Sequence, residues 1–282
     1  MKQSTAECEY GEGLAAIRAG IATRTEIGRR DMGLLERKRV LVAGASRGIG
    51  LAIATKMAEE GAHVVLAARS MDALEAAAEK LKGSAVELDV TQDSSIERAA
   101  KAAGAVDILV NVAGMNIRKA FEDFTRDEME AILQTNLVGL MRLTQFVGRD
   151  MIARKAGGKI INIGSLTSLI GIPYITIYGA SKGALAQWTR CLAAEWGRHN
   201  IQVNCIAPGF ILTDLNREMW KDEKLQNWLK QSQPSPRLGT PEDVSPLAVY
   251  MASSQSDYMT GQVIPVDGGH TVTSMWPFVP GE

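Results

Sequence analysis

Tyr178 and Lys182 stand four residues apart in the segment YGASK, a spacing that suits proton transfer. On a helix, two residues at this separation lie on the same face, one turn apart. A phenol with a pKa of about 10 transfers protons poorly near neutrality, and lowering that pKa to about 7 takes roughly 4 kcal/mol. A neighbouring ammonium favours the phenolate. The pair therefore predicts general acid–base chemistry at Tyr178, although Tyr and Lys at this spacing also occur on ordinary helix surfaces.

Two polar residues upstream could extend this chemistry. Ser165 follows the apolar segment KIINI. A hydroxyl at the carboxyl end of a buried strand can hydrogen-bond a substrate oxygen, and the alternative is a serine turn that ends the strand. Asn136, in QTNLVG, is either a satisfied core amide or the holder of a water that continues the proton path from Lys182.

A glycine-rich loop predicts a dinucleotide site. Gly44-Ala-Ser-Arg-Gly48-Ile-Gly50 lies between the apolar segment VLVA and a helical stretch that runs through Glu60. Glycines allow a tight turn and a close approach of backbone N–H groups to a pyrophosphate, and the following helix presents its positive end to the anion. The alternative is a simple strand-to-helix turn.

The end of the second predicted strand indicates which dinucleotide is bound. Its sequence is Ala67-Ala68-Arg69-Ser70, without the acidic residue that binds the adenosine ribose in NAD(H) sites. Arg69 can form a bidentate pair with a 2′-phosphate, and Arg47 in the glycine loop adds a second charge. We therefore predict NADP(H) as the preferred cofactor and leave NAD(H) open, since Arg69 could also be a solvated surface residue.

From Arg39 onward, apolar segments alternate with helical ones. Runs such as VLVA and KIINI suit strands buried on both faces. This alternation predicts an α/β fold, a Rossmann-type doubly wound parallel sheet of about seven strands with helices on both faces. We expect one dinucleotide-binding and catalytic domain over residues 34–282, preceded by a flexible extension over residues 1–33. The predicted strands are residues 40–43, 63–67, 84–88, 107–111, 159–163, 202–206 and 262–266.

Composition excludes several classes of function. The chain has 282 residues, 46% of them hydrophobic, and a formal net charge of −1, which gives no attraction to nucleic acid or to an anionic membrane. No apolar run is long enough to span a bilayer, and no signal pattern opens the chain. The cysteines indicate reduced thiols in a cytoplasmic protein, and the histidines lack metal-ligand spacing, so we expect no metal. These residues are Cys8, Cys191, Cys205, His63, His199 and His270.

Six motifs occur together in the order and spacing of the short-chain dehydrogenase/reductase family, which the chain resembles from about residue 34 to 270. They are AGASRGIG, NVAG at residues 111–114, Asn136, Ser165, YGASK and Pro208-Gly209. The resemblance implies that Tyr178 is the general acid/base and that Lys182 lowers its pKa and binds the nicotinamide ribose. Ser165 would orient the carbonyl, and Asn136 would maintain the proton relay. The resemblance also implies that the protein is a homotetramer.

The same resemblance implies a set of residues around the cofactor. Two departures from the family pattern bear on loop rigidity: Ala43 replaces the usual Thr before the first glycine, and Val112 replaces a frequent second Asn. The implied cofactor-binding residues, together with Arg69 and Ser70 from the strand end, are Gly44, Ser46, Arg47, Gly48, Ile49, Gly50, Asp89, Val90, Asn111, Ala113, Gly114, Tyr178, Lys182, Pro208, Gly209, Ile211 and Thr213.

The substrate is less determined by sequence. Residues 212–236 contain Trp220 and Trp228 and suggest an amphipathic lid, although either tryptophan could pack on the body of the fold. A cation at Arg118 or Lys119 would suit a carboxylate-bearing substrate. Together with the stretch ARKAGGKIINIGSLTSLIGIP at residues 153–173, this segment is similar to gluconate 5-dehydrogenase-like members that act on sugar acids. The alternatives are reduction of 3-oxoacyl or small hydrophobic ketones, and a non-catalytic NADP(H)-binding sensor.

Overall fold

The structure is a computed structural model that describes residues 33–272. The predicted extension over residues 1–33 therefore lies outside the described residues except for Gly33, as does the apolar segment at residues 275–278.

Within residues 33–272, seven parallel strands form one sheet in the order β3-β2-β1-β4-β5-β6-β7. The first strand pairs with the second on one side and with the fourth on the other, so the winding direction reverses there. Such a reversal opens a crevice at the carboxyl ends of the strands. The strands are β1 (Arg39–Ala43), β2 (His63–Ala68), β3 (Ser84–Glu87), β4 (Ile108–Asn111), β5 (Gly158–Ile163), β6 (Ile201–Pro208) and β7 (Val263–Val266). Each overlaps its predicted segment.

Helices connect the strands and cover both faces of the sheet. They are α1 (Gly48–Glu59), α2 (Met71–Leu81), α3 (Asp93–Ala103), α4 (Arg126–Leu133), α5 (Gly139–Arg154), α6 (Thr176–Trp196), α7 (Glu223–Ser232) and α8 (Pro241–Ala252). A π-helical segment, Gln134–Val138, joins α4 to α5 without a break. Among these helices none is both long enough and apolar enough to cross a membrane. The predicted fold class is confirmed.

Alternate residues of the strands enter two separate cores. In β1, Val40 and Val42 pack with α1 and α8, whereas Leu41 and Ala43 pack on the other face with α3, α5 and α6. All four side chains are fully buried. Because both faces are covered, the strand has no polar alternation, which explains the continuous apolar run in the sequence.

Capping interactions fix the starts of two helices that flank the crevice. At α4, the Thr125 hydroxyl accepts from the Glu128 backbone N–H while the Glu128 carboxylate accepts from the Thr125 N–H, which forms a capping box. At α8, the Asp243 carboxylate accepts from the backbone N–H of Thr240, and Pro241 takes the first helical position. Such caps are worth about 1 kcal/mol each.

Candidate active site

A cavity of about 850 Å³ opens at the carboxyl ends of β1, β4, β5 and β6, where the winding direction reverses. Every predicted site residue except Asn111 and Asn136 lines it. Those that do are Gly44, Ser46, Arg47, Gly48, Ile49, Gly50, Arg69, Ser70, Asp89, Val90, Ala113, Gly114, Ser165, Tyr178, Lys182, Pro208, Gly209, Ile211 and Thr213. Residues that are far apart in sequence are thus brought to one wall.

The glycine loop lines one end of this cavity, and its backbone geometry suits a phosphate. Gly44 has φ +95°, and a Cβ there would lie 2.7 Å from the Ala113 nitrogen. Gly48, with φ +56°, opens α1, and Arg47 before it forms no side-chain cap. Because a guanidinium cannot accept a hydrogen bond, the first N–H groups of α1 remain available to an anion. The loop therefore fits the pyrophosphate of a dinucleotide.

Backbone hydrogen bonds hold the glycine loop against the end of β4. The Ala43 carbonyl accepts from the N–H groups of Val112 and Ala113, both at 2.9 Å, and the Gly44 N–H donates to the Ala67 carbonyl at 2.7 Å. The hydroxyl that Ala43 lacks relative to the family pattern is therefore not needed to join these segments.

Two exposed arginines stand at the adenosine end of the cavity. Arg69 directly follows β2, Arg47 belongs to the glycine loop, and neither forms a salt bridge with any described residue. The positive charge of Arg69 contributes to holding the pKa of Asp89 below its ordinary value, although hydrogen bonding from Thr91 is the main cause. The two guanidinium groups fit a 2′-phosphate and leave no carboxylate at the end of β2 for ribose hydroxyls.

Ser165, Tyr178 and Lys182 lie together at the other end of the cavity. The Lys182 Nζ is 5.8 Å from the centroid of the Tyr178 ring, as their position on α6 predicts. Ser165 follows β5, and its hydroxyl lies close enough to the Tyr178 phenol to lower the phenol's pKa by hydrogen bonding. The arrangement can deliver a proton and a hydrogen bond to the same oxygen atom.

The direction of the Tyr178 pKa shift differs from the sequence prediction. Burial is the largest influence and raises the pKa of Tyr178 above 10, whereas the hydrogen bond from Ser165 and the positive charge of Arg118 lower it in part. The net pKa of Tyr178 is therefore raised and not lowered, because desolvation of the phenolate outweighs the nearby cations. The contribution predicted for Lys182 stays a prediction.

Lys182 itself has a perturbed pKa. Its side chain is 3% exposed, its Nζ donates to the Ile163 carbonyl at 2.7 Å, and burial lowers its pKa to about 8. It therefore remains mainly protonated near neutrality, and its hydrogen bond is to the last residue of β5, two residues before Ser165.

Asn136 lies behind the cavity wall and is fully buried. Its Oδ1 accepts from the Met115 N–H at 2.7 Å, and its Nδ2 donates to the Met115 carbonyl and to the Ser181 hydroxyl. These bonds satisfy the side-chain amide, as the sequence alternative of a satisfied core amide describes. A Cβ at Gly114 would contact both Asn136 Oδ1 and Lys182 Nζ, so the amide also borders the ammonium, and its relay role stays a prediction.

Asn111 does not line the cavity, and its predicted contact with the cofactor stays a prediction. Its side chain is fully buried, and its Nδ2 donates to Thr144 and to Asn162, both at 2.9 Å. Asn162 in turn donates to Thr189. This chain of amides and hydroxyls ties β4 and β5 to α5 and α6, so the Asn111 side chain supports the sheet below the cavity.

Several residues of the substrate end were not predicted as a group. The amide of Asn216 holds the predicted nicotinamide segment, since its Oδ1 accepts from the Thr213 N–H and its Nδ2 donates to the Ile211 carbonyl. Arg118 lines the cavity and its Nη1 lies 2.8 Å from the Met219 sulfur. Lys119 forms a salt bridge with Glu128 instead and does not line the cavity. No sequence signal predicts the contact between Arg118 and Met219, because it joins segments about a hundred residues apart.

The segment predicted as a lid has two tryptophans in different environments. Trp220 is 6% exposed and lines the cavity, whereas Trp228 on α7 is 42% exposed and does not. Both pack edge-on against Phe210, with ring centroids at 5.6 and 5.3 Å. Among residues 33–272, no cluster of three or more potential metal ligands occurs.

Comparisons with known proteins agree with this geometry. A family model described as enoyl-(acyl carrier protein) reductase matches residues 44–271. The chain is 40% identical over 252 residues to a gluconate 5-dehydrogenase from Gluconobacter oxydans, covering 86% of this chain and 98% of that protein. It is 37% identical over 246 residues to a 3-oxoacyl-[acyl-carrier-protein] reductase from Chlamydia muridarum, covering 84% and 98%.

A solved structure extends the similarity to three dimensions. A gluconate 5-dehydrogenase from Burkholderia cenocepacia, crystallised in complex with NADP and tartrate, superimposes with a TM-score of 0.82 at 36% identity. The match covers 85% of this chain and 97% of that one. The described fold is therefore shared along almost the whole length of that enzyme.

Proposed function

The chain belongs to the short-chain dehydrogenase/reductase family of NAD(P)-dependent oxidoreductases, and on that premise we propose that it interconverts a ketone and a secondary alcohol with Tyr178 as general acid/base. The observation that carries the proposal is the grouping of Ser165, Tyr178 and Lys182 in one cavity wall beside the glycine loop. A sensor that only binds the dinucleotide would not need this group.

Each of the three side chains has a distinct part in the proposed reaction. A bound nicotinamide supplies the hydride donor or acceptor. Ser165 hydrogen-bonds the carbonyl oxygen, and Tyr178 gives its proton to that oxygen in reduction and takes it back in oxidation. The buried ammonium of Lys182 stands beside the phenol and would hold the nicotinamide ribose of the bound cofactor. Since burial raises the pKa of Tyr178, the phenol holds its proton at neutral pH and is ready to act as the acid.

The cofactor that the cavity fits best is NADP(H). Arg47 and Arg69 line the adenosine end without carboxylate partners among the described residues, and the related gluconate 5-dehydrogenase was crystallised with NADP. A charge-assisted hydrogen bond is worth about 1.5–3 kcal/mol. We expect Arg69→Ala to weaken NADPH binding by about tenfold to a hundredfold and NADH binding by less than about threefold.

The cofactor test compares two arginine variants by titration of NADPH and NADH fluorescence. Arg98 on α3 is exposed and does not line the cavity, so Arg98→Ala is the matched control and should leave both affinities unchanged. Equal weakening of NADPH and NADH binding by Arg69→Ala would contradict an NADP(H) preference set at the end of β2.

The proposed substrate is a sugar acid of the gluconate type. Arg118 lines the substrate end, acts electrostatically on Tyr178, and forms no salt bridge with a described carboxylate. A guanidinium in that position suits a substrate carboxylate. The names of two similar proteins, and the tartrate bound to one of them, support the same class.

Reduction of 3-oxoacyl thioesters is the second candidate, because a 3-oxoacyl reductase is 37% identical and the cavity also has apolar walls at Met115, Ile172 and Leu215. Turnover decides between them. NADPH oxidation with 5-keto-D-gluconate, and NADP⁺ reduction with D-gluconate, should exceed turnover of a 3-oxoacyl thioester in kcat/KM.

Two tyrosine variants test the catalytic assignment. Tyr178→Phe should lower kcat by at least about a hundredfold, in line with the loss of a general acid, while NADPH affinity is retained. Tyr174 is 64% exposed and lies just before α6, so Tyr174→Phe is the control and should keep wild-type kcat. Turnover by Tyr178→Phe at the wild-type rate would refute the role of the phenol.

A further inference from the structure

The short 3₁₀ turn that follows Ser165 ends in a second serine, Ser168, to which the proposed reaction gives no part. Ser165 lines the cavity, whereas Ser168 is half-buried and does not line it. A hydroxyl in this place cannot contact the substrate from the cavity wall. Its hydrogen bonds nevertheless involve the backbone of two residues of the proposed catalytic group.

The Ser168 hydroxyl connects the segment that carries Ser165 to the helix that carries Lys182. It donates to the Lys182 backbone carbonyl on α6 at 2.9 Å and accepts from the Ser165 backbone N–H at 3.3 Å. The Ser168 N–H donates back to the Ser165 carbonyl at 2.8 Å. Among the described residues, the bond to Lys182 is the one hydrogen bond that joins this turn to the backbone of α6.

The Ser165 hydroxyl takes its position from the backbone of this turn. Its oxygen accepts from the Thr167 N–H at 3.1 Å, which uses one lone pair and leaves the O–H free to donate. Only the χ1 torsion separates this oxygen from the backbone. A shift of the Ser165 backbone relative to α6 would therefore move the hydroxyl relative to the Tyr178 phenol on that helix.

The local geometry leaves room for the Ser168 hydroxyl and makes α6 the fixed side of the connection. A Cβ at Gly164 would lie 2.8 Å from the Ser168 oxygen, so a larger residue there would displace this hydroxyl. Helix α6 has 21 residues, whereas the turn has three and is too short to be rigid alone. The bond therefore positions the turn on the helix.

We propose that Ser168 is a positioning residue, whose hydroxyl holds Ser165 at a fixed distance from Tyr178 and Lys182. Hydrogen bonding of the carbonyl oxygen and proton transfer to it both require that the Ser165 hydroxyl and the Tyr178 phenol reach the same atom, and small displacements of such groups are costly in rate. The inference rests on the proposed function, because it concerns the residue that would hold the substrate carbonyl.

A double-mutant cycle separates this positioning from a general structural role. The four proteins are wild type, Ser165→Ala, Ser168→Ala and the double variant, and kcat is measured as NADPH oxidation with 5-keto-D-gluconate or with whichever carbonyl compound the wild type reduces fastest. We expect Ser165→Ala to lower kcat by about a hundredfold and Ser168→Ala by about tenfold. In the Ser165→Ala background, Ser168→Ala should change kcat by less than about twofold, because the hydroxyl that it positions is already absent.

Two further variants serve as controls, and NADPH affinity should be unchanged in all the serine variants. Ser168→Thr keeps the hydroxyl and should restore most of the kcat that Ser168→Ala loses. Ser256 ends another 3₁₀ turn, and its buried hydroxyl donates to the carbonyls of Met251 and Ser253 without lining the cavity. Ser256→Ala should lower the urea midpoint at least as much as Ser168→Ala and keep wild-type kcat.

The inference is overturned if Ser168→Ala leaves kcat unchanged, if it lowers kcat by the same factor in both backgrounds, or if Ser168→Thr loses as much kcat as Ser168→Ala. Tyr178→Phe, assayed beside the cycle, distinguishes this failure from that of the proposed function. Loss of kcat in Tyr178→Phe without coupling between the two serines refutes the positioning alone. Wild-type kcat in Tyr178→Phe with the coupling present refutes the acid assignment and supports the positioning of Ser165.

Discussion

Burial of the Lys182 ammonium allows a quantitative prediction of how the free energy of unfolding changes with pH. Burial lowers its pKa from 10.5 to about 8, and a shift of this size corresponds to about 3 kcal/mol of unfavourable free energy for the charged form. Below pH 8 both the folded and the unfolded chain carry the proton, so the full penalty applies. Between pH 8 and about 10.5 the unfolded chain binds more protons than the folded one, and the free energy of unfolding therefore rises with pH.

Lys182→Met removes the charge and keeps much of the side-chain volume. It also removes the hydrogen bond to the Ile163 carbonyl, which is worth about 1 kcal/mol. We therefore expect the variant to be more stable than wild type by about 2 kcal/mol at pH 6, and less stable by about 1 kcal/mol near pH 10.5. Its turnover should be lost, so the lysine is retained at the expense of stability.

Urea unfolding followed by tryptophan fluorescence, at equal protein concentration from pH 6 to pH 10.5, measures this difference. Other titrating groups are common to both proteins, so the difference between the two curves isolates Lys182. Lys80→Met, at an exposed position on α2, should run parallel to wild type. A constant difference between Lys182→Met and wild type across this range would refute the account of the buried charge.

Three further outcomes follow from the site. Because burial raises the pKa of Tyr178, carbonyl reduction should stay constant across neutral pH and fall only in the alkaline range, while alcohol oxidation rises there; a pH-independent oxidation rate would contradict this. Gly44→Ala should lower stability by at least about 2 kcal/mol and weaken NADPH binding, because the added Cβ would lie 2.7 Å from the Ala113 nitrogen at a positive φ. Gly197→Ala, with open space around it, should do neither. Asn162→Ala should cost about 2 kcal/mol in urea unfolding, since it removes one hydrogen bond from each of its two buried partners, Asn111 and Thr189. A loss well below about 1 kcal/mol would show that the amide network relaxes.

Sequence alone determined the fold class and most of the cofactor wall. Strand positions follow from continuous apolar runs, because a sheet covered on both faces leaves no polar alternation. The glycine loop follows from the local need for positive φ at Gly44 and Gly48. The spacing of Tyr178 and Lys182 fixes their common helix face before any tertiary contact is known.

Only the tertiary structure decided how each polar side chain is used. The Asn111 side chain is buried in the core because Thr144 and Asn162 accept its hydrogen bonds there. The residues next to Asn111 in the sequence do not indicate these two partners. The pKa of Tyr178 rises because desolvation depends on all the atoms packed around it, which spacing to one lysine cannot report.

The same holds for neighbouring residues of like chemistry. Lys119 pairs with Glu128 while Arg118 lines the cavity, and Trp220 lies in the cavity wall while Trp228 is half exposed. Each outcome depends on which residues surround the side chain in the folded protein. Sequence thus supplied the chemical groups and their local geometry, and the fold decided which of them meet, because burial and pairing are properties of long-range contacts.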